Sequence, residues 1–202
     1  MTKSFLDQVY AARGVDETRQ IYDAWAASYE AEVAENGYAT PGRCAVALAG
    51  VTKDMTAPVL DFGCGTGLSG LALKLAGFTA IDGVDLSAQM LAQAEKKNVY
   101  RKTQVVDGAY EVPHASYQTI AAIGVIGSGA APISMLDRLM RALGSGGRLV
   151  FSFNDHTLAD PIHEARINEW TDCGAARLLI RQRGDHLPKI NMKSNIYILE
   201  KA

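Results

Sequence analysis

Cysteine is scarce in this sequence, and charge of either sign is not in excess. The three cysteines, Cys44, Cys64 and Cys173, are far apart and lack the close spacing of zinc ligands. Isolated cysteines in an odd number argue against a disulfide framework and favour a reducing compartment, so we expect a cytoplasmic protein without a metal site. Lysine and arginine total 20 against 22 aspartates and glutamates, and the net charge of -2 argues against a nucleic-acid-binding surface.

Long hydrophobic runs are also missing. Residues 115–136 carry no charge, but glycine, serine, glutamine, threonine and proline interrupt them, so a buried strand is favoured over a membrane span. Residues 1–14 lack the apolar core of a secretory signal. These absences predict a protein that has no membrane partner.

The sequence does contain a regular alternation of strand and helix patterns. From residue 58 onward, short apolar runs alternate with helical stretches, which predicts a parallel sheet with helices on both faces. The last two apolar runs, 176–184 and 194–202, have no helix between them, so they must pair antiparallel or leave the sheet. We therefore predict a Rossmann-like α/β fold in a single domain over residues 1–202.

Residues 1–55 precede this alternation and are predicted to form a helical cap. Trp25, Tyr29 and Val33 are four residues apart, which places them on one face of a single helix. The Asn-Gly pair at 36–37 is a natural end for that helix. The aromatic face can serve as a lid over a ligand or can simply pack on the sheet, and the spacing of Tyr29 satisfies both readings.

Glycines cluster after the first predicted strand, in the stretch "PVLDFGCGTGLSG" at residues 58–70. Glycine at such a turn adopts positive φ and lets a ligand approach the backbone, and the following helix directs unpaired N–H groups at that ligand. The spacing Gly65-x-Gly67-x-x-Gly70 also matches a dinucleotide-binding signature, which keeps an NAD-dependent oxidoreductase open. Asp61 argues against this alternative, because a carboxylate beside the loop opposes a phosphate.

Three predicted strands in succession end in aspartate. Asp61 suits a ligand ammonium group, and Asp85 can accept hydrogen bonds from both hydroxyls of a ribose. Asp107 can accept a hydrogen bond from an exocyclic amine such as that of adenine. The ligand thus carries an amino-acid end, a ribose and an adenine but no phosphate, which describes S-adenosylmethionine.

The same segments resemble the motifs of class I S-adenosylmethionine-dependent methyltransferases. "VLDFGCGTG" resembles motif I, "VDLSAQML" motif II and "VVDG" motif III, while "LMRALGSGGRLVFSF" resembles the helix, turn and fifth strand. "IGVIGSGAAP", together with the N-terminal block, is similar to the Williams–Beuren-region methyltransferase-like group. The resemblance implies a seven-stranded, mostly parallel sheet with an antiparallel last strand, a helical N-terminal lid, and methyl transfer that releases S-adenosylhomocysteine.

The resemblance also implies a set of site residues. The cofactor contacts expected from the motifs are Tyr29, Asp61, Gly63, Cys64, Gly65, Gly67, Asp85, Leu86, Met90, Asp107, Gly108 and Ile123. The substrate contacts expected are Tyr22, Trp25 and Asn154. Cys64 is interpreted as a small packing residue rather than a catalytic thiol.

A general base is needed only if the methyl acceptor arrives protonated. Asp155 and His156 follow the fifth predicted strand and are the candidates for that base. The alternative is that Asn154 and Asp155 form a turn while His156 faces solvent.

The acceptor itself is only broadly indicated. No Asn/Asp-Pro-Pro-aromatic motif follows the fourth predicted strand, and the segment there is small and apolar, which favours a small-molecule acceptor. A non-catalytic protein that binds S-adenosylmethionine remains an alternative to the enzyme. The sequence specifies neither the acceptor atom nor the oligomeric state.

Overall fold

The computed structural model describes residues 15–127 and 129–202. Ser128 and residues 1–14, which belong to the predicted cap, lie outside this described part of the chain. Within it, no helix is long and apolar enough to cross a lipid bilayer.

The described residues form eight α-helices and seven strands. The helices are α1 (Val15–Trp25), α2 (Tyr29–Glu35), α3 (Thr40–Val51), α4 (Leu68–Leu75), α5 (Ala88–Glu95), α6 (Ser134–Ala142), α7 (Asp155–Leu158) and α8 (Ile162–Asp172). The strands are β1 (Val59–Phe62), β2 (Ile81–Asp85), β3 (Lys102–Val105), β4 (Thr119–Ala122), β5 (Arg148–Asn154), β6 (Ala176–Leu187) and β7 (Met192–Lys201).

All seven strands join one sheet in the order β3-β2-β1-β4-β5-β7-β6. The first five strands in sequence pair in parallel, whereas β7 runs antiparallel to both β5 and β6, with Phe151 opposite Tyr197. This confirms the predicted Rossmann-like sheet and its antiparallel last strand. The order of strands reverses between β1 and β4, and ligands of open α/β sheets bind beyond the carboxyl ends of strands at such a point.

Helices cover both faces of the sheet, and β5 shows how the core is divided. Val150 belongs to an apolar cluster with Leu48 of α3, while the next residue, Phe151, belongs to a second cluster with Leu136 of α6. Because successive side chains of a strand point to opposite faces, a strand buried on both faces is apolar throughout. This explains the unbroken apolar runs of the sequence.

The predicted single helix of the cap is wrong at residues 26–28. The chain leaves α1 in a tight turn in which Ser28 N donates to Trp25 O at 3.0 Å, and α2 then starts at Tyr29. The turn keeps the aromatic residues together, since the rings of Trp25 and Tyr29 meet edge to face at 4.8 Å. The four-residue spacing of Trp25, Tyr29 and Val33 is the same whether or not the helix is interrupted, so the spacing alone does not show the break.

The segment after β5 is also more regular than a plain turn. Residues Asp155–Leu158 form the short helix α7, and Asn154 caps it, since its side chain accepts a hydrogen bond from Thr157 N. The capping bond fixes Asn154 at the carboxyl end of β5.

Candidate functional site

The loop between β1 and α4 contains three glycines whose backbone conformation other residues rarely adopt. Gly63, Gly65 and Gly67 have φ values of +68°, +54° and +91°, a region that residues with a side chain rarely adopt. A Cβ added at Gly63 would lie 2.6 Å from Val125, whereas one added at Gly65 would meet no atom within 4 Å. The backbone of Gly65 therefore borders open space.

Gly70, the last glycine of the dinucleotide-like spacing, is required for a different reason. A Cβ on Gly70 would lie 2.3 Å from the hydroxyl oxygen of Tyr100. That hydroxyl donates a hydrogen bond of 2.7 Å to Oδ2 of Asp61. Gly70 thus makes room for a side chain from the segment between α5 and β3, and the sequence match to a dinucleotide signature reflects packing in this chain.

Asp61 lies fully buried behind the glycine loop and does not itself line a cavity. Its Oδ2 accepts hydrogen bonds from Ser69 Oγ and Tyr100 Oη, both at 2.7 Å, whereas its Oδ1 has no partner among the described residues. Burial raises the pKa of this carboxyl to about 6. The vacant oxygen is suited to one more donor, such as an ammonium group or a water molecule.

Asp85, at the carboxyl end of β2, is bonded directly to the glycine loop. Its Oδ2 accepts from Gly65 N at 2.8 Å and its Oδ1 accepts from Ser87 N at 2.9 Å. Burial raises the pKa of this carboxyl above its ordinary value. Each oxygen keeps a second lone pair, so the carboxylate can hold the loop and still accept two hydroxyl hydrogens.

A cavity of about 220 Å³, here called the first cavity, opens over the carboxyl ends of β1, β2 and β4. Most of the cofactor contacts expected from the sequence line it: Tyr29, Gly63, Cys64, Gly65, Asp85, Leu86, Met90, Asp107, Gly108 and Ile123. Asp61 and Gly67 lie behind this wall. Asp107 also accepts a hydrogen bond from Ala109 N at 2.9 Å, which shapes the turn after β3.

Two residues of this wall were missed by the sequence reasoning. Thr66 is almost fully buried, and its Oγ1 has no hydrogen-bond partner among the described residues. Arg138 of α6 donates to Gly108 O at 2.9 Å and to Tyr110 O at 2.6 Å, so it holds the loop after β3 in place. The sequence reasoning assigned no role to Thr66, and nothing in the sequence linked Arg138 to a loop 30 residues earlier.

Helices α1 and α2 close one side of the first cavity. Asp23 is bonded to Ser87 at the start of α5, and Lys97 contacts both Glu30 of α2 and the carbonyl of Thr66, the latter at 2.8 Å. The cap is thereby tied to the glycine loop and to the end of β2. Tyr29 lines the cavity while its ring packs on Trp25, so it combines the lid position and the packing position that its spacing left open.

A smaller cavity of about 70 Å³, the second cavity, adjoins the first and shares Tyr22, Tyr29 and Tyr38 with it. The expected substrate contacts Tyr22, Trp25 and Asn154 all line it. Ser152 lines it too. Among the described residues of its wall, none is an aspartate, glutamate, lysine or arginine.

The two candidates for a general base lie elsewhere. Neither Asp155 nor His156 is among the residues that line the two cavities. Asp155 accepts hydrogen bonds from Arg183 Nη2 at 2.7 Å and from Lys193 N at 2.8 Å. Burial alone would raise the pKa of Asp155, but these bonds hold the pKa below its ordinary value. The geometry therefore does not support a base at these positions.

His186 is a further polar side chain that lines the second cavity. It lies near the end of β6, is 8% exposed, and its Nδ1 is 2.8 Å from Thr40 Oγ1. Burial lowers the pKa of His186 to about 4, so the ring is neutral at pH 7. The hydrogen bond between Thr40 and His186 joins α3 to β6 across 146 residues of sequence, so no local sequence pattern predicts it.

The described residues match known methyltransferases. A family model for a methyltransferase domain matches residues 40–199. Human methyltransferase-like protein 27 is 31% identical over 143 residues, and the match covers 65% of this chain and 57% of the human protein. The chain thus matches little more than half the length of that curated relative.

Two solved structures show the same fold at low sequence identity. The 4+2 cyclase SpnF aligns with a TM-score of 0.70 and 15% identity over 94% of this chain and 97% of its own. A magnesium protoporphyrin IX methyltransferase from Synechocystis PCC 6803, solved with bound SAM, aligns with a TM-score of 0.61 and 17% identity over 99% and 92%. At such identities the likeness concerns the fold alone.

Proposed function

The chain belongs to the methyltransferase-domain family, and we propose that it transfers a methyl group from S-adenosylmethionine to a small-molecule acceptor, releasing S-adenosylhomocysteine. The observation that carries this proposal is the rim of the first cavity. There Asp85 binds the backbone of Gly65 and faces the same space as Asp107. A ribose and an adenine suit these two carboxylates.

The buried atoms without partners fit the amino-acid end of this cofactor. Thr66 Oγ1 can donate a hydrogen bond to a carboxylate, and Asp61 Oδ1 can accept one from an ammonium group, directly or through water. Both residues flank the glycine loop at the start of α4, where the positive end of a helix favours an anion. The two orphaned groups are therefore complementary to the two charges of an α-amino acid.

The bound cofactor supplies a methyl group on a positively charged sulfur. The residues of this chain orient the acceptor behind that methyl group and exclude water from it. Tyr22 and Tyr29 line both cavities, so their rings stand where the two spaces meet and can attract a cation. Holding two reactants in line can supply about 7 kcal/mol or more of the barrier reduction.

The NAD-dependent alternative is disfavoured by two features of the glycine loop. Asp61 places a buried carboxylate behind it, and Gly70 serves the packing of Tyr100 rather than a pyrophosphate. Titration calorimetry separates the two functions. Micromolar binding of S-adenosylhomocysteine without binding of NADH is expected, and the reverse result would overturn the cofactor assignment.

Binding of S-adenosylmethionine without turnover is a second candidate function. It is favoured by the position of Asp155 and His156, which line neither cavity. Incubating the protein with methyl-labelled cofactor and metabolite extracts tests both functions. Labelled small molecules would support the enzyme, label only in protein or RNA would contradict the small-molecule acceptor, and tight binding without any transfer would favour the second candidate.

The remaining expectations concern surroundings and partners. The near balance of charges in the sequence supports a small-molecule partner rather than a nucleic acid. No cluster of three or more potential metal ligands occurs among residues 15–127 and 129–202. A cytoplasmic location remains our expectation from the cysteine pattern.

A further inference from the structure

We infer that the second cavity binds the methyl acceptor and that this acceptor presents a carboxylate to the Nε2–H group of His186. This inference rests on the proposed function and specifies its substrate class. It is carried by three properties of the second cavity: the uncharged wall, the hydrogen-bonded chain behind His186, and the absence of Asp155 and His156 from its described lining.

The uncharged wall determines which charges the second cavity tolerates. None of its described lining residues is ionised at pH 7, and its aromatic side chains make the space a poor solvent for an isolated charge. A carboxylate is opposite in charge to the sulfur of the cofactor, so the two charges cancel as the methyl group moves. An amine acceptor would instead leave a cation in this cavity, with no counter-ion among the described residues of its wall.

The transfer to a carboxylate balances without a proton. A lone pair of one carboxylate oxygen forms the O–CH3 bond, the S–CH3 bond breaks, and its electron pair stays on sulfur. The products are a neutral methyl ester and a neutral thioether. Because a carboxylate is already ionised at pH 7, the reaction needs no general base, which agrees with the position of Asp155 and His156 outside both cavities.

A chain of hydrogen bonds determines which nitrogen of His186 carries the proton. Arg43 Nη1, which can only donate, bonds Ser194 Oγ at 2.9 Å. Ser194 Oγ is 2.8 Å from Thr40 Oγ1, which is 2.8 Å from His186 Nδ1. The hydroxyl hydrogen of Ser194 has no acceptor other than Thr40 Oγ1 among the described residues, and that of Thr40 then has only Nδ1. In the arrangement that satisfies both hydroxyl groups, serine donates to threonine and threonine donates to Nδ1. The proton of the neutral ring is then on Nε2.

Nε2 is the free end of this chain. No hydrogen bond to it occurs among the described residues, and the ring lines the second cavity. Arg43 also donates to the carbonyl groups of Gln182 and Asp185, both at 2.9 Å. The arginine end of this series of hydrogen bonds is therefore fixed to the backbone of β6. His186 therefore offers the acceptor a fixed N–H donor.

The surroundings keep the ring neutral. Burial lowers its pKa to about 4, and the positive charge of Arg43 and the neighbouring His156 act in the same direction, while Asp155 opposes them. The ring of Tyr38 meets the ring of His186 edge to face, with the ring centroids 5.2 Å apart. A neutral imidazole with its proton on Nε2 is a donor toward the cavity and has no lone pair there with which to remove a proton.

The tautomer can be measured without any acceptor. Long-range nitrogen–hydrogen NMR correlations on uniformly labelled protein at pH 7 report which nitrogen of each histidine is protonated. We expect the Nε2–H form for His186, and a smaller share of that form after Thr40→Val, which removes the hydrogen bond that holds Nδ1 unprotonated. An Nδ1–H form in the wild-type protein would overturn the inference.

The acceptor class is tested with matched small probes. Butyrate, benzoate and phenylacetate are incubated with the protein and deuteromethyl-labelled cofactor, alongside butylamine, benzylamine and benzyl alcohol, and products are identified by mass spectrometry. Methyl esters from at least one carboxylate and no product from the amines or the alcohol are expected. Methylated amine or alcohol, or no ester from any carboxylate, would overturn the inference.

Variants connect this activity to His186. His186→Phe should lower kcat/KM for the ester-forming probe at least tenfold while the affinity for S-adenosylhomocysteine stays within twofold. His186→Gln, which retains an N–H donor, should recover part of the loss, and the exposed His114→Phe is the matched control. Equal activity of His186→Phe and His114→Phe would contradict the inference.

These measurements separate the inference from the proposed function. If S-adenosylhomocysteine does not bind, the cofactor assignment itself fails. If it binds with micromolar affinity and the carboxylate probes yield no ester, the acceptor class is wrong while the cofactor assignment stands.

Discussion

Asp61 shows how one buried carboxylate can serve a ligand at the expense of the fold. Its Oδ2 is satisfied by Ser69 and Tyr100, but its Oδ1 has no partner among the described residues although the side chain is fully buried. A charged oxygen without a partner is costly unless a ligand supplies one. The residue is therefore expected to favour cofactor binding more than folding.

The variant Asp61→Asn tests this role. The amide oxygen of asparagine can keep both hydrogen bonds that Oδ2 of Asp61 accepts. Its NH2 group then stands where the vacant oxygen was, so it should repel an ammonium group. Calorimetry should show affinity for S-adenosylhomocysteine lowered about tenfold or more, while the thermal midpoint stays equal or rises. An unchanged affinity would show that the ammonium group is held elsewhere.

The pH dependence of binding gives an internal check on Asp61. Its folded-state pKa of about 6 lies above the ordinary value, so the carboxyl is largely protonated at pH 5 and ionised at pH 7.5. Affinity for the ammonium-bearing ligand should therefore rise about tenfold between these pH values. Asp61→Asn should remove this rise.

At the scale of the element, α4 contains a glycine, Gly70, whose missing side chain leaves room for Tyr100. The side chain of Tyr100 is confined between α4 and β2. An added Cβ on Gly70 of α4 would lie 2.3 Å from its hydroxyl oxygen, and one on Gly83 of β2 would lie 3.0 Å from its ring. The tyrosine cannot move away from one without meeting the other. Its hydroxyl then fixes Asp61 beneath the loop.

Gly70→Ala is expected to lower the free energy of unfolding by about 2 kcal/mol, because the added methyl group overpacks the site. It should also weaken cofactor binding by displacing Tyr100 from Asp61. Gly50→Ala in α3 is the control, since a Cβ there meets no atom within 4 Å and alanine favours the helix. Urea denaturation measures both, and equal stability of the two variants would refute the packing role of Gly70.

The cap is a second element, and a lysine side chain ties it to the glycine loop. Lys97, at the end of α5, joins Glu30 of α2 to the carbonyl of Thr66, so it links the cap to the glycine loop. Lys97 therefore acts beside the Asp23–Ser87 bond in holding α1 and α2 against the site.

Lys97→Met should loosen the cap while leaving the sheet intact. Loss of a partly buried ion pair of about 1 kcal/mol should speed amide exchange in α1 and α2 roughly fivefold. Lys96→Met is the matched control, because Lys96 is exposed and bonds only Gln93. Hydrogen exchange measured by mass spectrometry that shows the same rates in both variants would contradict the tether.

For the whole molecule, two buried groups give stability opposite dependences on pH. Asp61 has a raised pKa, so its contribution to stability falls as pH rises through 4 to 6. His186 has a pKa lowered to about 4, so the unfolded chain binds the extra proton between pH 6.5 and 4 and stability falls as pH falls. The two contributions partly cancel in the wild-type protein.

A comparison with a variant of His186 separates its contribution to the pH dependence of stability from that of Asp61. Relative to His186→Gln, the wild-type protein should gain about 2 kcal/mol of unfolding free energy between pH 5 and pH 7.5. Denaturant titrations of both proteins at the two pH values measure this difference. A constant difference would mean that His186 is not held neutral in the folded state.

The fold and much of the first cavity were predictable from local sequence. Alternating apolar runs set the order of elements, and glycines at residues 63, 65 and 67 marked a turn that only glycine can form. Aspartates at the ends of β2 and β3 marked the rim, because the carboxyl ends of parallel strands meet at one edge. The family membership then followed from these motifs.

The break in the cap was not predictable in this way. A spacing of four residues tells which side chains face the core, but a one-turn interruption that keeps them facing the core leaves the spacing intact.

The sequence by itself determined the order of strands and helices, the glycine loop and the acidic rim, because each depends on backbone conformation and periodicity within a few residues. Only the tertiary structure decided that Tyr100 is the partner of Asp61, that Arg138 holds the loop after β3, and that His186 stands at the end of a chain running from Arg43. Each of these contacts joins residues far apart in the chain. Their geometry is a property of how packed elements meet, and no local pattern encodes it.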